Sequence, residues 1–139
     1  MGWPVARCDT QGDASGASQE DIEKEFRAAM DRLRKVVETE SCVMFSTTVC
    51  PWCDRAAEFF AQINRPCRKI ELDVPHGDRQ QQLLGMALAM ATQQRTVPNI
   101  FLGGKHLGGY DMLSAAYSQC KAGQMPSEHA DICRLLTEE

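Results

Sequence analysis

The sequence lacks three features that would each point to a different class of protein. No apolar run approaches the roughly 20 residues that span a bilayer. There is no basic excess: 19 acidic residues outnumber 15 basic ones, and the formal charge is −4. The N-terminus lacks the basic and then apolar stretch of a secretory signal. We therefore expect no nucleic-acid partner, no membrane association and a cytoplasmic location.

The seven cysteines are arranged neither as a zinc site nor as a secreted disulfide framework. Only Cys50 and Cys53 have ligand spacing, and a structural zinc site needs a second such pair. We expect no metal. Secreted scaffolds usually carry an even set of cysteines in a shorter chain, so a reducing compartment is expected. Four of the remaining cysteines are most simply small buried hydrophobic residues: Cys42, Cys67, Cys120 and Cys133.

The motif Cys50-Pro51-Trp52-Cys53 (CPWC) lies after an apolar run and at the start of a helical pattern. Unpaired N–H groups and the positive end of the helix dipole favour a thiolate at Cys50. Pro51 suits the first helical position, where an N–H would be unpaired anyway. A thiolate with a second thiol in reach can attack a disulfide and then be released by its neighbour. The motif predicts thiol–disulfide exchange.

Helical and strand patterns alternate along the rest of the chain. Residues 1–17 are predicted to be a disordered arm, and residues 18–139 a single domain. Ser18 and Asp21 resemble a capping box before an amphipathic helix that ends near Glu40. Strands are predicted at 41–46, 68–73, 97–102 and 105–107, and further helices from the CPWC motif to near residue 64, at 80–91, at 111–121 and from a Ser127 cap to 136. The order αβαβαββαα predicts an α/β fold with a small mixed four-stranded sheet covered by helices on both faces.

Three motifs follow one another along the chain: CPWC, Arg95-Thr96-Val97-Pro98-Asn99 and Gly108-Gly109-Tyr110-Asp111. In this order they resemble the motifs of glutaredoxins, small members of the thioredoxin-fold superfamily. The likeness covers about residues 41–138 and includes the Gly-Gly-Lys-His-Leu hairpin between the last two motifs. Each motif alone is weak, but together they are highly specific. Thioredoxin, the nearest competitor, normally carries Trp-Cys-Gly-Pro-Cys and lacks the Gly-Gly-x-Asp segment.

The resemblance implies a thioredoxin-like fold and a glutathione-dependent thiol–disulfide oxidoreductase. Cys50 would be the nucleophile and Cys53 the resolving thiol, with glutathione as the co-substrate. The substrates would be glutathionylated proteins and proteins that contain disulfides. We expect the enzyme to be a monomer.

The resemblance also implies where glutathione binds. Thr96, Val97 and Pro98 match the family's cis-proline loop, whose backbone pairs with the cysteinyl part of glutathione. From the residues alone, an ordinary trans-proline at a strand start is favoured. The amides of Tyr110 and Asp111 would hold the γ-glutamyl carboxylate, with a plain N-cap role for Asp111 as the alternative. The other implied contacts are Gly109 at the helix start, Trp52 as a wall beside the nucleophile, and Arg95 as a cation for the glycyl carboxylate or simply a solvated side chain.

One departure from the family pattern bears on reactivity. Thr47 stands where glutaredoxins commonly have a lysine, three residues before the nucleophile. Without that cation we expect weaker glutathione binding. We also expect the pKa of Cys50 to lie in the upper part of the range of about 3.5–7.5 seen for activated cysteines.

Two other functions compete with this prediction. In one, two protomers bridge a [2Fe–2S] cluster through the first cysteine of each and two glutathiones. Pro51 argues against that, because a rigid Pro-Trp turn restricts how the cysteine could reach a cluster. In the other, the helix at 20–40 docks a partner protein. A helix that packs on its own sheet is favoured instead.

Overall fold

The computed structural model describes residues 18–137, so the predicted arm at 1–17, with Cys8, lies outside the described residues. Within them, helices and strands follow the predicted order. The strands are β1 (Cys42–Ser46), β2 (Arg68–Glu71), β3 (Asn99–Leu102) and β4 (Lys105–Gly108). The helices are α1 (Gln19–Thr39), α2 (Pro51–Gln62), α3 (Arg79–Thr92), α4 (Tyr110–Lys121) and α5 (Ala130–Thr137).

The four strands form one mixed sheet in the order β2-β1-β3-β4. Strands β1 and β2 are parallel, whereas β1 with β3 and β3 with β4 are antiparallel. A parallel pair needs a crossover connection, which α2 supplies. Gly103 and Gly104 make the tight β3–β4 turn with φ of 58° and 81°, a region that glycine enters without a steric penalty. The predicted sheet and fold class are confirmed.

Helices cover both faces of this sheet. Because side chains alternate along a strand, Met44 points into one core and Val43 and Phe45 into the other. The first core joins the sheet to α2, α4 and α5, and the second joins it to α1 and α3. Helix α1 therefore packs on its own sheet, as expected. None of the helices between residues 18 and 137 combines the length and the apolar character that a membrane crossing needs.

Ser18 caps α1, since its Oγ accepts the N–H of Asp21 at 3.1 Å. Two other local predictions at element starts differ from the structure. Ser127 does not cap α5; it begins a 3-10 turn over Ser127–His129, in which the His129 N–H reaches Pro126 O at 2.9 Å. Strand β3 begins at Asn99 rather than at Val97, because the proline between them has no N–H for the ladder.

The interpretation of four cysteines as unpaired hydrophobic residues was wrong. Cys42 is bonded to Cys67 with their Cα atoms 4.7 Å apart, and Cys120 to Cys133 with 5.3 Å between Cα atoms. The first bond joins the starts of the parallel strands β1 and β2, and the second joins the end of α4 to α5. Separations of 25 and 13 residues match no motif, so only the folded topology reveals these pairs.

The α4–α5 disulfide should stabilise the fold by restricting the unfolded chain. Its partners are 13 residues apart. Closing a loop of about 15 residues contributes about 3 kcal/mol in the chain-entropy description. A double variant, Cys120→Ser with Cys133→Ser, should lose up to that amount of unfolding free energy in urea without reductant.

The control for this prediction is the same pair of curves in dithiothreitol. There the wild type loses its cross-links too, so the two proteins should unfold at similar urea concentrations. Alkylation of Cys120 and Cys133 in the folded, unreduced wild type, detected by mass spectrometry, would contradict the assignment.

Candidate functional site

The sheet topology brings the three sequence motifs to one edge. The CPWC motif follows the end of β1. Because β3 is antiparallel to β1, Asn99 at its start pairs with Phe45 near the end of β1. Strand β4 returns antiparallel to β3, so Gly108 at its end pairs with Ile100. The cysteine pair, the loop before β3 and the start of α4 therefore adjoin one another.

Cys50 is the N-cap residue of α2, and Pro51 occupies the first helical position as predicted. The Cys53 N–H donates to Cys50 Sγ at 3.1 Å. The two cysteines form a disulfide in this structure. Cys50 is 8% exposed and Cys53 is 0% exposed, so an external thiol reaches the bond from the Cys50 side. After reduction, the same N–H and the helix start would favour a thiolate at Cys50.

The loop at residues 96–98, called the cis-proline loop below, lies against this sulfur. The Val97–Pro98 peptide bond is cis. The trans bond favoured from the residues alone was therefore wrong, and the family resemblance gave the correct isomer. Val97 O stands 3.8 Å from Cys50 Sγ. Pro98 is buried, whereas Thr96 is exposed at the surface.

The third motif opens α4 without a side-chain cap. Gly109 is the N-cap residue and has no side chain that could accept from the first helical amides. Asp111 lies in the first turn, so the alternative that it is a plain N-cap residue is wrong. The amides at the start of α4 can therefore bind an anion from outside the chain.

Trp52 connects the starts of α2 and α4. Its ring centroid lies 5.7 Å from that of Tyr110, and the side chain remains 52% exposed. The Arg55 guanidinium carbon stands 5.1 Å from the Trp52 ring centroid, within the range of a cation–π contact. Arg95, the predicted cation of the second motif, is exposed.

Two further residues shape this edge and were missed in the sequence. Asp73 accepts from the Thr48 N–H at 3.1 Å and from the Thr48 hydroxyl at 2.7 Å, which fixes the segment just before Cys50. The Thr48 hydroxyl bond lowers the pKa of Asp73, so its carboxylate stays charged at neutral pH. Gln94 donates to two carbonyls of the cis-proline loop. Neither side chain belongs to a recognisable motif. Asp73 binds Thr48, which is far from it in the sequence, and Gln94 binds the carbonyls of a loop.

Gly108 is required for the approach of β4 to α4. Its φ is +124°, and a Cβ atom there would stand 2.9 Å from Met112 Cγ. Gly108→Ala should lower the free energy of unfolding by about 2–4 kcal/mol, through backbone strain and overpacking together. Gly77→Ala is the matched control, since its φ is +75° but nothing lies within 4 Å of the added atom.

The control substitution should cost only about 1 kcal/mol, the penalty for a left-handed conformation. Urea unfolding of both variants measures the difference. Equal losses for Gly108→Ala and Gly77→Ala would show that the contact with Met112 is not a constraint.

A mixed four-stranded sheet, helices on both faces and a CxxC disulfide at a helix start define a protein of the thioredoxin-like fold. The glutaredoxin family model matches residues 42–107. Glutaredoxin-C2 of Arabidopsis thaliana is 41% identical over 93 residues, which cover 67% of this chain and 81% of that protein. The glutaredoxin of Ricinus communis is 40% identical over 91 residues, covering 66% of this chain and 86% of that protein.

Solved structures agree with the sequence matches. A buckwheat glutaredoxin–glutathione complex superposes with a TM-score of 0.66 at 30% identity, covering 83% of this chain and 98% of that one. A wheat glutaredoxin gives a TM-score of 0.64 at 34% identity, covering 81% and 92%. This chain belongs to the glutaredoxin family.

Proposed function

We propose that the protein is a glutathione-dependent oxidoreductase that reduces protein–glutathione mixed disulfides and protein disulfides. Membership of the glutaredoxin family already establishes a glutathione-related thiol oxidoreductase. The observation that supports the finer assignment is the asymmetry of the CPWC motif. Cys50 Sγ caps α2, accepts the Cys53 N–H at 3.1 Å and is the more accessible sulfur, whereas Cys53 is fully buried.

Glutathione is proposed to lie across the edge where the three motifs meet. Its cysteinyl part would pair with the Val97 backbone, because Val97 O already stands 3.8 Å from Cys50 Sγ. Its γ-glutamyl carboxylate would accept from the uncapped amides of Tyr110 and Asp111. Trp52 would form one wall, and Arg95 would face the glycyl carboxylate. The buckwheat relative was solved as a glutathione complex, which supports glutathione as the ligand.

For a glutathionylated protein, the Cys50 thiolate attacks the glutathione sulfur. The new Cys50–glutathione disulfide forms as the old sulfur–sulfur bond breaks, and the protein leaves as a thiolate that takes a proton. A second glutathione, as its thiolate, then attacks the bound glutathione sulfur. Glutathione disulfide departs, and the Cys50 thiolate is restored.

For a protein disulfide, Cys50 attacks one sulfur and the Cys53 thiolate resolves the mixed disulfide. The substrate leaves as a dithiol, and the enzyme keeps the Cys50–Cys53 bond, the state that this structure holds. Two glutathiones reduce that bond in turn. Since Cys53 is fully buried, the first of them attacks at Cys50.

Because Thr47 carries no charge, activation of the Cys50 thiol in the proposed enzyme would depend on backbone groups. The side chain is half-buried beside the motif and carries no charge. The Cys50 thiolate would then be stabilised by the α2 start and the Cys53 N–H, with no lysine three residues before the nucleophile. Arg55 contacts Trp52, so its charge lies near the motif.

Substitution of the two active-site cysteines tests the proposed roles. Cys50→Ser should reduce deglutathionylation of a glutathionylated peptide to the uncatalysed rate, because no nucleophile remains at the helix start. Cys53→Ser should retain this activity but lose reduction of a protein disulfide such as insulin, since the intermediate is no longer resolved within the chain. Steady-state assays with glutathione as reductant measure both.

The double variant Cys120→Ser with Cys133→Ser is the control, because it removes two cysteines from the α4–α5 disulfide rather than from the motif. It should retain both activities. Deglutathionylation by Cys50→Ser at a rate near that of the wild type would overturn the assignment of the nucleophile.

The cytoplasmic location and the monomeric state stay predictions. The two disulfides outside the CPWC motif count against that location, because disulfides persist mainly in oxidising compartments. Binding of a cluster between two protomers stays an alternative, since that site would need a second chain.

A further inference from the structure

The Gln94 side chain bridges the two ends of the cis-proline loop. Its Nε2 donates to Thr96 O at 2.9 Å and to Pro98 O at 3.0 Å. An amide NH₂ has two hydrogens, so both are used. The two accepting carbonyls flank Val97, whose own carbonyl oxygen lies 3.8 Å from Cys50 Sγ. One side chain thus holds the carbonyl groups of the residues before and after Val97, the residue that faces the reactive sulfur.

Gln94 is itself held by a polar network at the end of α3. Its backbone N–H donates to Thr92 Oγ1 at 3.2 Å. The same oxygen accepts from Asn99 Nδ2 at 3.1 Å and donates its hydrogen to Leu88 O at 2.8 Å. Asn99 is only 1% exposed, so this bond is shielded from water. The start of β3 and the end of α3 therefore place Gln94 at a defined distance from the loop.

The network continues into β4 through His106. Its Nε2 lies 2.9 Å from Asn99 Oδ1. Because Asn99 uses its NH₂ group on Thr92, its oxygen accepts here and His106 Nε2 carries the hydrogen. Partial burial lowers the pKa of His106, which favours the neutral ring. A neutral ring can make this bond, so the network does not depend on protonating His106.

Gln94 also lies next to the third motif. A Cβ atom built on Gly108 would stand 3.8 Å from Gln94 Oε1, and one built on Gly109 would stand 3.6 Å from Pro98 O. The amide therefore occupies the point where the cis-proline loop meets the start of α4. These are the two segments proposed to bind the cysteinyl and γ-glutamyl parts of glutathione.

We propose that Gln94 is a positioning residue for glutathione. It holds the Thr96–Pro98 backbone in the orientation in which Val97 can pair with the cysteinyl part of a glutathione disulfide. This inference rests on the proposed function and deepens it. Without the two donated hydrogen bonds, the loop peptides are free to turn toward water. Substrate binding then has to order them again, which raises KM.

The test replaces Gln94 by a residue of similar length that cannot donate. Gln94→Met keeps the length of the side chain but supplies no N–H, and Gln94→Ala removes the side chain altogether. Both should raise KM for a glutathionylated peptide about tenfold, the effect expected for losing one or two such bonds. The kcat should stay within about twofold, because Cys50 and the α2 start are untouched.

Gln93→Asn is the matched control. The Gln93 side chain donates to Met90 O and not to the cis-proline loop. Its φ of 63° is one that asparagine tolerates, so the variant should keep both constants. In all variants, alkylation of reduced Cys50 by iodoacetamide should keep its rate and pH dependence, since that small reagent does not use the loop.

The possible outcomes separate this inference from the proposed function. A wild-type chain with no activity on the peptide would overturn the proposed function and this inference with it. An active wild type with an unchanged KM for Gln94→Met would overturn the inference alone. Slower Cys50 alkylation, or loss of the thermal unfolding transition in both Gln94 variants, would also overturn it by giving Gln94 a different role.

Discussion

The hydrogen bond from the Cys53 N–H to Cys50 Sγ, at 3.1 Å, is the interaction on which the rest of the site depends. It directs a backbone donor at the sulfur that is proposed to carry a negative charge as the nucleophile. One pKa unit corresponds to about 1.4 kcal/mol, and a charge at a helix end is stabilised by about 0.3–1 kcal/mol when exposed and up to about 2 when partly buried. Cys50 is largely buried, so these two groups act on its sulfur with little screening by water, and they must also offset the desolvation of a thiolate there.

The sheet topology places backbone groups around the Cys50 sulfur. Because β3 is antiparallel to β1 and β4 is antiparallel to β3, the start of β3 and the end of β4 both lie where β1 ends. The Val97 carbonyl comes just before β3, and the uncapped start of α4 comes just after β4. Contacts to backbone atoms need no particular side chain at the substrate-facing positions. Such contacts would allow the proposed enzyme to work without the lysine that Thr47 replaces.

Much of this arrangement could be predicted from the sequence, because local patterns encode it. Hydrophobic periodicity predicted the element order, and the CPWC motif predicted the start of α2 with Pro51 at its first position. The two outer disulfides could not be predicted, since their pairing depends on the parallel register and on α4–α5 packing. The hydrogen bonds donated by Gln94 and accepted by Asp73 could not be predicted for a related reason. They join side chains to backbone atoms of loops, and no periodicity marks such contacts.

The most direct test is the pKa of Cys50 in the fully reduced protein. The rate of its alkylation by iodoacetamide should be measured against pH, with the peptide that contains Cys50 quantified by mass spectrometry. A backbone-stabilised thiolate should give a midpoint in the upper part of the range of about 3.5–7.5. A midpoint near 8.5, the value of an ordinary cysteine, would contradict the account.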